Sequence, residues 1–536
     1  MPNKVLLTIR SLSTSFREDG EWKKAIEDIN LELKSRETHA IVGESGSGKS
    51  VTSLSVTRLL PKGNSKIEEG ELIFNEINLR EISEKEMRNL RGQKIAMIFQ
   101  EPMTSLNPVE KCGKQVAEIL RLHKGISKSE AKDNVLSLFT KVRLPDPELL
   151  YKKYPFELSG GQKQRVMIAM AIACEPDVLI ADEPTTALDP SVSRSILELI
   201  KDLQADNGMA VLFITHDLES LRGFADTISV MYKGQIIEQG PSDIVLSNPR
   251  EKYTKALLAC RPPKNSKPFR LPTVAEIMSD SFHEKESPKM TYDEPLLEVE
   301  HIKYWYPVKK GFPPKTINHI KAVDGVSFSL MKGESLGVVG ESGCGKSTLG
   351  RLLAGLLIEH EGELFLNGKN RASLNKKAWK EYRKRVQIIF QDPYSALNPK
   401  IKIGNAIAEP LIAHRILGRQ EAKKNVLKML EKVGLKAEFF NRYPHEFSGG
   451  QRQRIGIARS LILNPEIVIC DESVSALDVS VQAQILNLLN DLKDQLGLTY
   501  FFISHDMDVV NYFCDRVMQM ENGKINFIEK GEGILA

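Results

Sequence analysis

Two glycine-rich runs in this sequence have the spacing that binds the phosphates of a nucleotide. Residues 43–50 and 340–347 both fit G-x-x-x-x-G-K-[ST]. Glycines let successive backbone N–H groups turn toward one anion, and a helix that starts at the lysine adds partial positive charge. We therefore predict that Lys49 and Lys346 reach the β- and γ-phosphates. The predicted nucleotide contacts, with the residue after each run, are Gly43, Glu44, Ser45, Gly46, Ser47, Gly48, Lys49, Ser50, Val51, Gly340, Glu341, Ser342, Gly343, Cys344, Gly345, Lys346, Ser347 and Thr348.

Two Asp-Glu pairs supply the carboxylates that hydrolysis of a triphosphate needs. Asp182-Glu183 and Asp471-Glu472 each end an apolar run. One carboxylate must hold Mg²⁺, and a second must polarise the attacking water. We predict that the aspartates bind the metal with the loop serines and that Glu183 and Glu472 are the catalytic bases. The predicted metal-side residues at this point are Ser50, Asp182, Ser347 and Asp471.

Two histidines follow apolar runs in the same local pattern. His216 and His505 both occur in F-I-[TS]-H-D. An imidazole in this place can bind the γ-phosphate and orient the catalytic glutamate. A single histidine there would more often be structural, but the context occurs twice. We therefore predict a catalytic role for both.

These side chains need a sheet that brings several strand ends together. Short, continuously apolar runs precede the loops, the carboxylate pairs and the histidines, and such runs suit a parallel sheet covered on both faces. An open parallel sheet binds its ligand at the carboxyl ends of the strands. Helical patterns follow the first strand of each set, and long stretches without strand patterns predict a helical insert in an α/β core. The predicted strands are 38–43, 178–182, 210–216, 334–340, 467–471 and 499–505, the predicted helices 50–60 and 347–357, and the inserts 101–170 and 392–459.

The chain repeats these motifs in the same order. SGGQKQRVMIAM at 159–170 recurs as SGGQRQRIGIAR at 448–459, with 8 of 12 positions identical. From the serine of this motif to the aspartate, and on to the histidine, the steps are 23 and 34 residues in both copies. The chain is therefore an internal duplication, and we predict two copies of one site.

The two copies meet in a stretch rich in Pro, Lys and Ser. Residues 262–294 show no sustained apolar period. We predict an extended or partly disordered linker there, with a surface loop of the first copy as the alternative. The predicted domains are then 1–261 and 295–536.

Composition excludes several classes of protein. Apolar residues at 41% and charged residues at 27% exclude wholesale disorder and fibrous repeats. A net charge of +4 gives no support to binding of a phosphate backbone. No apolar run reaches the roughly 18 residues of a membrane span, and the start does not resemble a signal peptide. The six scattered cysteines predict reduced thiols in a cytosolic protein rather than disulfides or a zinc site.

Taken together, the motifs resemble the ATP-binding cassette family. L-S-G-G-Q at 158–162 and F-S-G-G-Q at 447–451 resemble its signature motif. Gln100 and Gln391 match its Q-loop glutamine, which implies a role at the metal and at the catalytic centre. Phe16 and Tyr306 lie where the family places an adenine-stacking aromatic residue. The predicted signature contacts are Ser159, Gly160, Gly161, Gln162, Ser448, Gly449, Gly450 and Gln451.

The resemblance implies the fold class and the way in which the copies cooperate. It implies two tandem P-loop NTPase (ABC ATPase) domains of the α/β class, each a RecA-like core with a helical subdomain and an antiparallel β part. It also implies a head-to-tail sandwich, in which ATP and Mg²⁺ on one copy's loop are covered by the other copy's signature. An SGGQ turn that opens a helix is a second anion-binding helix N-terminus. Phe447 and Ser473-Val474 depart from the family pattern but remove no phosphate or metal ligand, so we expect two active ATPase sites.

Finer features are similar to the dipeptide, oligopeptide and nickel importer group, and most of all to its microcin C type. The likeness to the group lies at 99–108, 154–162 and 248–258, and the likeness to the microcin C type lies at 95–103 and 166–171. The resemblance implies ATP-driven import of peptide-like cargo through two transmembrane permease subunits, with an extracytoplasmic solute-binding protein and no nucleic acid. It also implies a peripheral location on the cytoplasmic face of the inner membrane.

The alternative is a soluble double-cassette ATPase that acts on ribosomes or DNA. Translation factors of that kind place a long charged helical arm between their cassettes, whereas residues 262–294 are rich in proline. The DNA-repair relatives carry zinc-binding cysteine clusters, which the spacing here does not match. Both features favour transport.

Overall fold

The chain forms two compact units. One comprises Met1–Leu258 with Ile277–Asp280, and the other Ala259–Glu276 with Ser281–Ala536. The structure, a computed structural model, describes residues 4–18, 20–100, 105–186, 188–263, 266–283, 292, 294–310, 315–392, 394, 396–475 and 477–528.

The strands of the first unit form two sheets. They are β1 (Val5–Glu18), β2 (Glu21–Lys34), β3 (Thr38–Val42), β4 (Ser65–Phe74), β5 (Ile77–Asn78), β6 (Ile95–Ile98), β7 (Val178–Asp182), β8 (Ala210–Thr215), β9 (Thr227–Tyr232) and β10 (Gln235–Pro241). One sheet is antiparallel in the order β2-β1-β4-β5. The other has the order β10-β9-β3-β8-β7-β6, parallel except for the β9–β10 hairpin.

The register of the parallel sheet brings the predicted site residues to one edge. Val42 at the end of β3 pairs with Thr215 at the end of β8, and Asp182 at the end of β7 pairs with Ile214. The three strands are fully buried, as expected for β-branched runs covered on both faces. The phosphate loop, the Asp-Glu pair and the histidine therefore leave the sheet side by side.

Helices cover this sheet and form the predicted insert. They are α1 (Lys49–Thr57), α2 (Glu84–Leu90), α3 (Cys112–Lys124), α4 (Lys128–Lys141), α5 (Pro147–Lys152), α6 (Gly160–Ile172), α7 (Pro190–Asn207), α8 (Ser242–Ser247) and α9 (Lys252–Ala259), with α10 (Val274–Met278) in the connecting segment and 3-10 turns at Pro155–Glu157 and Glu219–Leu221. Helices α3 to α6 follow one another between β6 and β7, which confirms the helical subdomain.

The second unit repeats the plan. Its strands are β11 (Pro295–Lys310), β12 (Lys315–Met331), β13 (Ser335–Val339), β14 (Glu361–Leu366), β15 (Lys369–Asn370), β16 (Val386–Ile389), β17 (Ile467–Asp471), β18 (Thr499–Ile503), β19 (Arg516–Glu521) and β20 (Lys524–Ile528). Its helices are α11 (Lys346–Leu353), α12 (Lys376–Arg385), α13 (Ile403–Ala413), α14 (Arg419–Lys432), α15 (Gly449–Leu461), α16 (Val479–Leu496) and α17 (Met507–Phe513), with 3-10 turns at Arg371–Ser373, Ala437–Asn441 and Pro444–Glu446. The sheet orders are β12-β11-β14-β15 and β16-β17-β18-β13-β19-β20.

Each unit has a hydrophobic core that both of its sheets share. In the first unit, Leu7 of β1 and Leu72 of β4 pack with Ile41 and Ile180 of the parallel sheet, and Val56 of α1 lies in the same cluster. Because α1 starts at the phosphate loop, burial of its inner side, on which Val56 joins small Ser and Thr residues, holds the loop on the sheet edge. None of the helices in the described residues is long and apolar enough to cross a membrane.

Part of the predicted linker packs on the second unit. Phe269 and Leu271 are buried. The Asn487 side chain donates to the Leu271 carbonyl and accepts from its N–H, both at 2.8 Å, and the Tyr512 hydroxyl donates to the Phe269 carbonyl at 3.1 Å. These contacts place residues 266–276 in the second unit, and the domain boundaries at 261 and 295 stay predictions.

Candidate functional site

The first phosphate loop is a tight turn between β3 and α1. Gly48 has a φ of 106°, and a Cβ on Gly43 would collide with the Met231 carbonyl oxygen, so both positions require glycine. The Lys49 ammonium is buried and donates to the carbonyl oxygens of Gly43 at 2.8 Å and Glu44 at 2.9 Å. The loop therefore folds around the lysine that was predicted to reach the phosphates.

The second loop has the same shape between β13 and α11. Gly345 has a φ of 114°. The Lys346 ammonium donates to the Gly340 oxygen at 2.6 Å and to the Glu341 oxygen at 2.9 Å, and lies 3.9 Å from the Cys344 sulfur. Cys344 stands at the position that Ser47 occupies in the first loop, so a thiol replaces a hydroxyl there.

A serine and an aspartate meet at each predicted metal position. The Ser50 hydroxyl donates to Asp182 at 3.1 Å, and the Ser347 hydroxyl donates to Asp471 at 2.7 Å. A hydroxyl beside a carboxylate is a set of hard oxygen donors, which is what Mg²⁺ prefers, so the residues fit the ion. Burial raises the pKa of Asp182 to about 6 and also raises the pKa of Asp471. A bound cation would compensate this buried charge.

Each predicted catalytic glutamate stands in an unusual backbone conformation. Glu183 and Glu472 both have a φ of 47°, a left-handed region that costs energy for residues other than glycine. The N–H of each donates at 2.9 Å to a carbonyl of the neighbouring strand, that of Ile214 or Ile503. This strained turn aims the carboxylate away from the sheet, beside the phosphate loop. In the first unit the Lys49 ammonium is 3.9 Å from the Glu183 carboxylate.

The predicted glutamines and histidines converge on these glutamates. The Gln100 amide donates to Glu183 at 2.9 Å, and the Gln391 amide donates to Glu472 at 2.8 Å. The ring Nδ1 atoms of the histidines lie close to the same carboxylates. These distances are 3.3 Å for His216 and 3.4 Å for His505.

The histidine of the first unit and its glutamate shift each other's pKa. Burial alone would raise the pKa of Glu183, but the hydrogen bond and charge of His216, with the charge of Lys49, lower it to about 2. Burial works against the charge of His216 too, yet the Glu183 contact raises its pKa overall. The contact therefore favours the charged forms of both groups, the carboxylate of Glu183 and the protonated ring of His216, next to the phosphate loop.

Sequence reasoning missed one support of the first glutamate. The Thr186 hydroxyl donates to Glu183 at 3.0 Å. In the second unit, the Ser475 hydroxyl instead donates to the backbone oxygen of Glu472 at 2.9 Å. A signal was present, since a threonine three residues after a glutamate in a turn is well placed to reach back to it.

The signature motifs open helices α6 and α15. Ser159 accepts from the Gln162 N–H at 3.3 Å while its own N–H donates to the Gln162 side chain at 3.1 Å, a capping box that Ser448 and Gln451 repeat. Ser159 and Gly160 are exposed, as are Ser448 and Gly449.

The next glycine of each signature is required by packing. A Cβ on Gly161 would lie 2.7 Å from a methyl carbon of Val192 in α7, and one on Gly450 would collide with Val481 of α16. These valines, which sequence reasoning also missed, set how closely the two helices approach. The signature motif thus allows close packing of two helices and also leaves the N-terminus of its own helix exposed.

The two aromatic residues have different surroundings. The Tyr306 hydroxyl is 3.5 Å from the Thr348 hydroxyl, directly after the second phosphate loop. Phe16 lies half-buried on β1, in register with Lys23 and Ser65. Stacking of either ring on adenine stays a prediction.

Comparison with known families agrees with this geometry. A family model described as ABC transporter matches residues 26–186 and 323–475, which together are more than half of the chain. The chain belongs to the ABC transporter family. It is accordingly an ATPase of two tandem cassettes, and it uses ATP with Mg²⁺ for hydrolysis coupled to transport.

Similar proteins cover almost the whole chain. A glutathione import ATP-binding protein GsiA from Pectobacterium atrosepticum is 43% identical over 538 residues, covering 98% of this chain and 86% of that protein. A peptidoglycan transport ATP-binding protein YejF from Agrobacterium fabrum is 44% identical over 528 residues, covering 98% and 92%. Among solved structures, the dimeric ATP-binding cassette MJ0796 bound to ADP and Pi is 29% identical and covers 44% of this chain and 100% of its own, with a TM-score of 0.40.

Proposed function

We propose that this chain is the ATP-hydrolysing motor subunit of an importer for peptide-like solutes. The observation that carries the proposal is the double set of lysine, serine, aspartate, glutamate, glutamine and histidine, gathered at one sheet edge in each unit. The import proteins named above match 98% of the chain, so their kind of activity is the natural reference.

The proposed roles follow from the contacts. Glu183 and Glu472 accept a proton from the water that attacks the γ-phosphate, and their glutamines hold that water in place. His216 and His505 orient the glutamates, and a protonated imidazole in this place would stabilise the phosphate that leaves. Ser50 and Asp182, with their counterparts in the second unit, would hold Mg²⁺, which neutralises phosphate charge when bound.

The signature helices are proposed to complete the sites of the opposite unit. Their serines and first glycines are exposed and their second glycines are partly exposed at helix N-termini, where backbone N–H groups and the helix dipole favour an anion. In this scheme ATP on Lys49 is covered by Ser448 and Gly450, and ATP on Lys346 by Ser159 and Gly161. We also propose 1–261 and 295–536 as the two nucleotide-binding domains and 262–294 as their connection.

Two equivalent grooves support the proposed membrane partners. One, of about 290 Å³, lies beside the sheet edge of the first unit and exposes Leu59 and Phe99, and another, of about 310 Å³, exposes Leu356 and Phe390. Large apolar side chains exposed at matched positions indicate a surface that a partner covers. Each phenylalanine immediately precedes the glutamine that contacts the catalytic glutamate, so a helix of a permease subunit seated in the groove would sense the ATP site.

The remaining partners are proposed from the relatives. Two transmembrane permease subunits would occupy the grooves, and an extracytoplasmic solute-binding protein would deliver the cargo. The chain would then act peripherally at the cytoplasmic face of the inner membrane. The relatives are named for glutathione and for peptidoglycan transport, so we propose a short-peptide cargo class, within which microcin C stays a prediction.

Purification of the tagged chain from solubilised membranes tests this function. We expect two integral membrane subunits to co-purify, and proteoliposomes of the complex with its binding protein to accumulate short peptides when ATP is supplied. The matched control is the double variant Glu183→Gln, Glu472→Gln, which should assemble but not transport. Co-purification of ribosomes or DNA instead would favour the soluble double-cassette alternative.

A further inference from the structure

A helix at the end of the first unit touches the first phosphate loop. Tyr253, in α9, is 209 residues from Glu44 in sequence, yet its hydroxyl accepts from the Glu44 backbone N–H at 3.2 Å and donates to the Glu44 carboxylate at 3.3 Å. Tyr253 is only 2% exposed, so this contact is part of the interior. One side chain thus holds both the backbone and the carboxylate of a loop residue.

The tyrosine is itself held on two sides. Its ring packs on that of Tyr232, with centroids 4.2 Å apart, at the end of the strand whose Met231 carbonyl faces Gly43. The Glu238 carboxylate of β10 accepts from the N–H groups of Arg250 and Glu251, at 2.7 and 3.2 Å, and from the hydroxyl of buried Thr254 at 2.5 Å. The position of α9, and with it the hydroxyl, is therefore determined by the sheet.

The second unit differs at this point. Met520 faces Gly340 as Met231 faces Gly43, but the next residue is Glu521 and not a tyrosine. Within the described part of the second unit, no side chain is hydrogen-bonded to the N–H of Glu341. The loop anchor is thus specific to the first unit in the residues that the structure describes.

We propose that Tyr253 is a positioning residue for ATP binding at the first phosphate loop. The inference rests on the proposed role of residues 43–50 as the triphosphate cradle. The hydroxyl fixes the peptide between Gly43 and Glu44, so the N–H groups that follow are arranged before the nucleotide arrives. It also holds the Glu44 carboxylate, which otherwise is free to repel the triphosphate.

The anchor does not depend on the loop lysine. Lys49 donates to the Glu44 carbonyl oxygen, whereas Tyr253 accepts from the Glu44 N–H, which belongs to the preceding peptide group. When the ammonium engages a phosphate, the Glu44 carbonyl loses the Lys49 contact and keeps only the Ser47 N–H at 3.2 Å, while the Glu44 N–H keeps the Tyr253 hydroxyl. Tyr253 therefore steadies the loop in the state that binds ATP.

Equilibrium ATP binding to the full chain tests the proposal one site at a time. Lys346→Ala leaves the first loop to bind, and Lys49→Ala leaves the second. We expect Tyr253→Phe to raise the Kd of the first site by about 2- to 10-fold, the range of one hydrogen bond, and to leave the second site unchanged. Tyr232→Phe removes the neighbouring hydroxyl, keeps the stacked ring, and should change neither site.

A double-mutant cycle separates positioning from simple support of the fold. In a Glu44→Gln background the repulsive charge is gone, so Tyr253→Phe should weaken ATP binding by a smaller factor than in wild type. Equal losses at both sites, or no loss at the first, would overturn the proposal. Full ATP binding at the first site of the Lys49→Ala chain would instead overturn the assignment of the loop itself.

Discussion

Glu183 and Glu472 stand at matched positions of the two units but receive different support. Both accept from a Q-loop glutamine and lie near a histidine. Only Glu183 also accepts from a hydroxyl, that of Thr186, in the described residues, whereas the Ser475 hydroxyl turns to the backbone. Duplication has kept the loop lysines, the serine and aspartate of the metal position, and the glutamate with its glutamine and histidine, and has let the support of the glutamates diverge.

The phosphate loops show the same division. The lysines make the same two carbonyl contacts in both units. The loops differ at other places, because the first has Ser47 and the Tyr253 anchor and the second has Cys344. We therefore expect the two sites to share one chemistry but to differ in affinity and rate.

The largest expected effect on ATP turnover comes from loss of the catalytic bases. The double variant Glu183→Gln, Glu472→Gln should lose at least about 100-fold in ATP turnover, because the proton of the attacking water has no acceptor. Of the single variants, Glu183→Gln should lose more, since Thr186 supports only that glutamate. Steady-state ATPase assays check both statements, and unchanged turnover in the double variant would contradict the assigned role.

The second largest effect is expected from alkylation of Cys344, which should block nucleotide binding at the second site only. Cys344 is partly exposed in the second phosphate loop, and the other five cysteines are buried. A maleimide on this sulfur would fill the space of the phosphates and halve the nucleotide bound per chain. Cys344→Ser, which copies Ser47 of the first loop, should resist the reagent, and ATP should protect the wild type. Loss of all binding would show that the sites are not distinguished in this way.

Removal of the hydroxyl behind Glu183 should have a smaller effect. Thr186→Ala deletes one hydrogen bond to the catalytic carboxylate, so kcat should fall by about 2- to 10-fold. Ser475→Ala should change kcat less, because that hydroxyl contacts a backbone oxygen. Equal effects of the two variants in single-turnover assays would contradict the claim that, within the described residues, only the first glutamate is supported by a hydroxyl.

The smallest predicted effect is a shift in the pKa of His216. His216 has a raised pKa because Glu183 contacts it, so Glu183→Gln should lower that pKa, leaving burial to dominate. Selective ¹³C labelling of histidine and NMR titration would follow the change. Glu472→Gln is the matched control, which should leave His216 unaffected.

Most of the hydrolytic site could be predicted from the sequence because its residues follow strand ends. The runs 38–43, 178–182 and 210–216 became β3, β7 and β8, and in a parallel sheet their carboxyl ends must meet. Repetition strengthened each motif, since two copies with equal spacing are not a chance match. The left-handed φ of Glu183 was not predictable, because no local pattern marks a glutamate for that region.

Contacts between distant parts of the chain explain the rest of what was missed. Tyr253 reaches Glu44 only because β9 and β10 carry the chain back beside the loop. The segment around Phe269 was predicted as a linker because it is rich in proline and has no sustained apolar period, yet Asn487 binds its backbone at Leu271. Such contacts depend on tertiary packing, which periodicity does not encode.

Photolabelling with 8-azido-ATP trapped by vanadate, followed by mapping of the label to each unit, tests the central claim that each ATP site is shared. Ser448→Arg should abolish trapping on the first unit, whose loop contains Lys49, and spare the second. Ser159→Arg should give the reverse pattern. If either arginine removes the label from its own unit and leaves the other intact, the sites are not shared and the account fails.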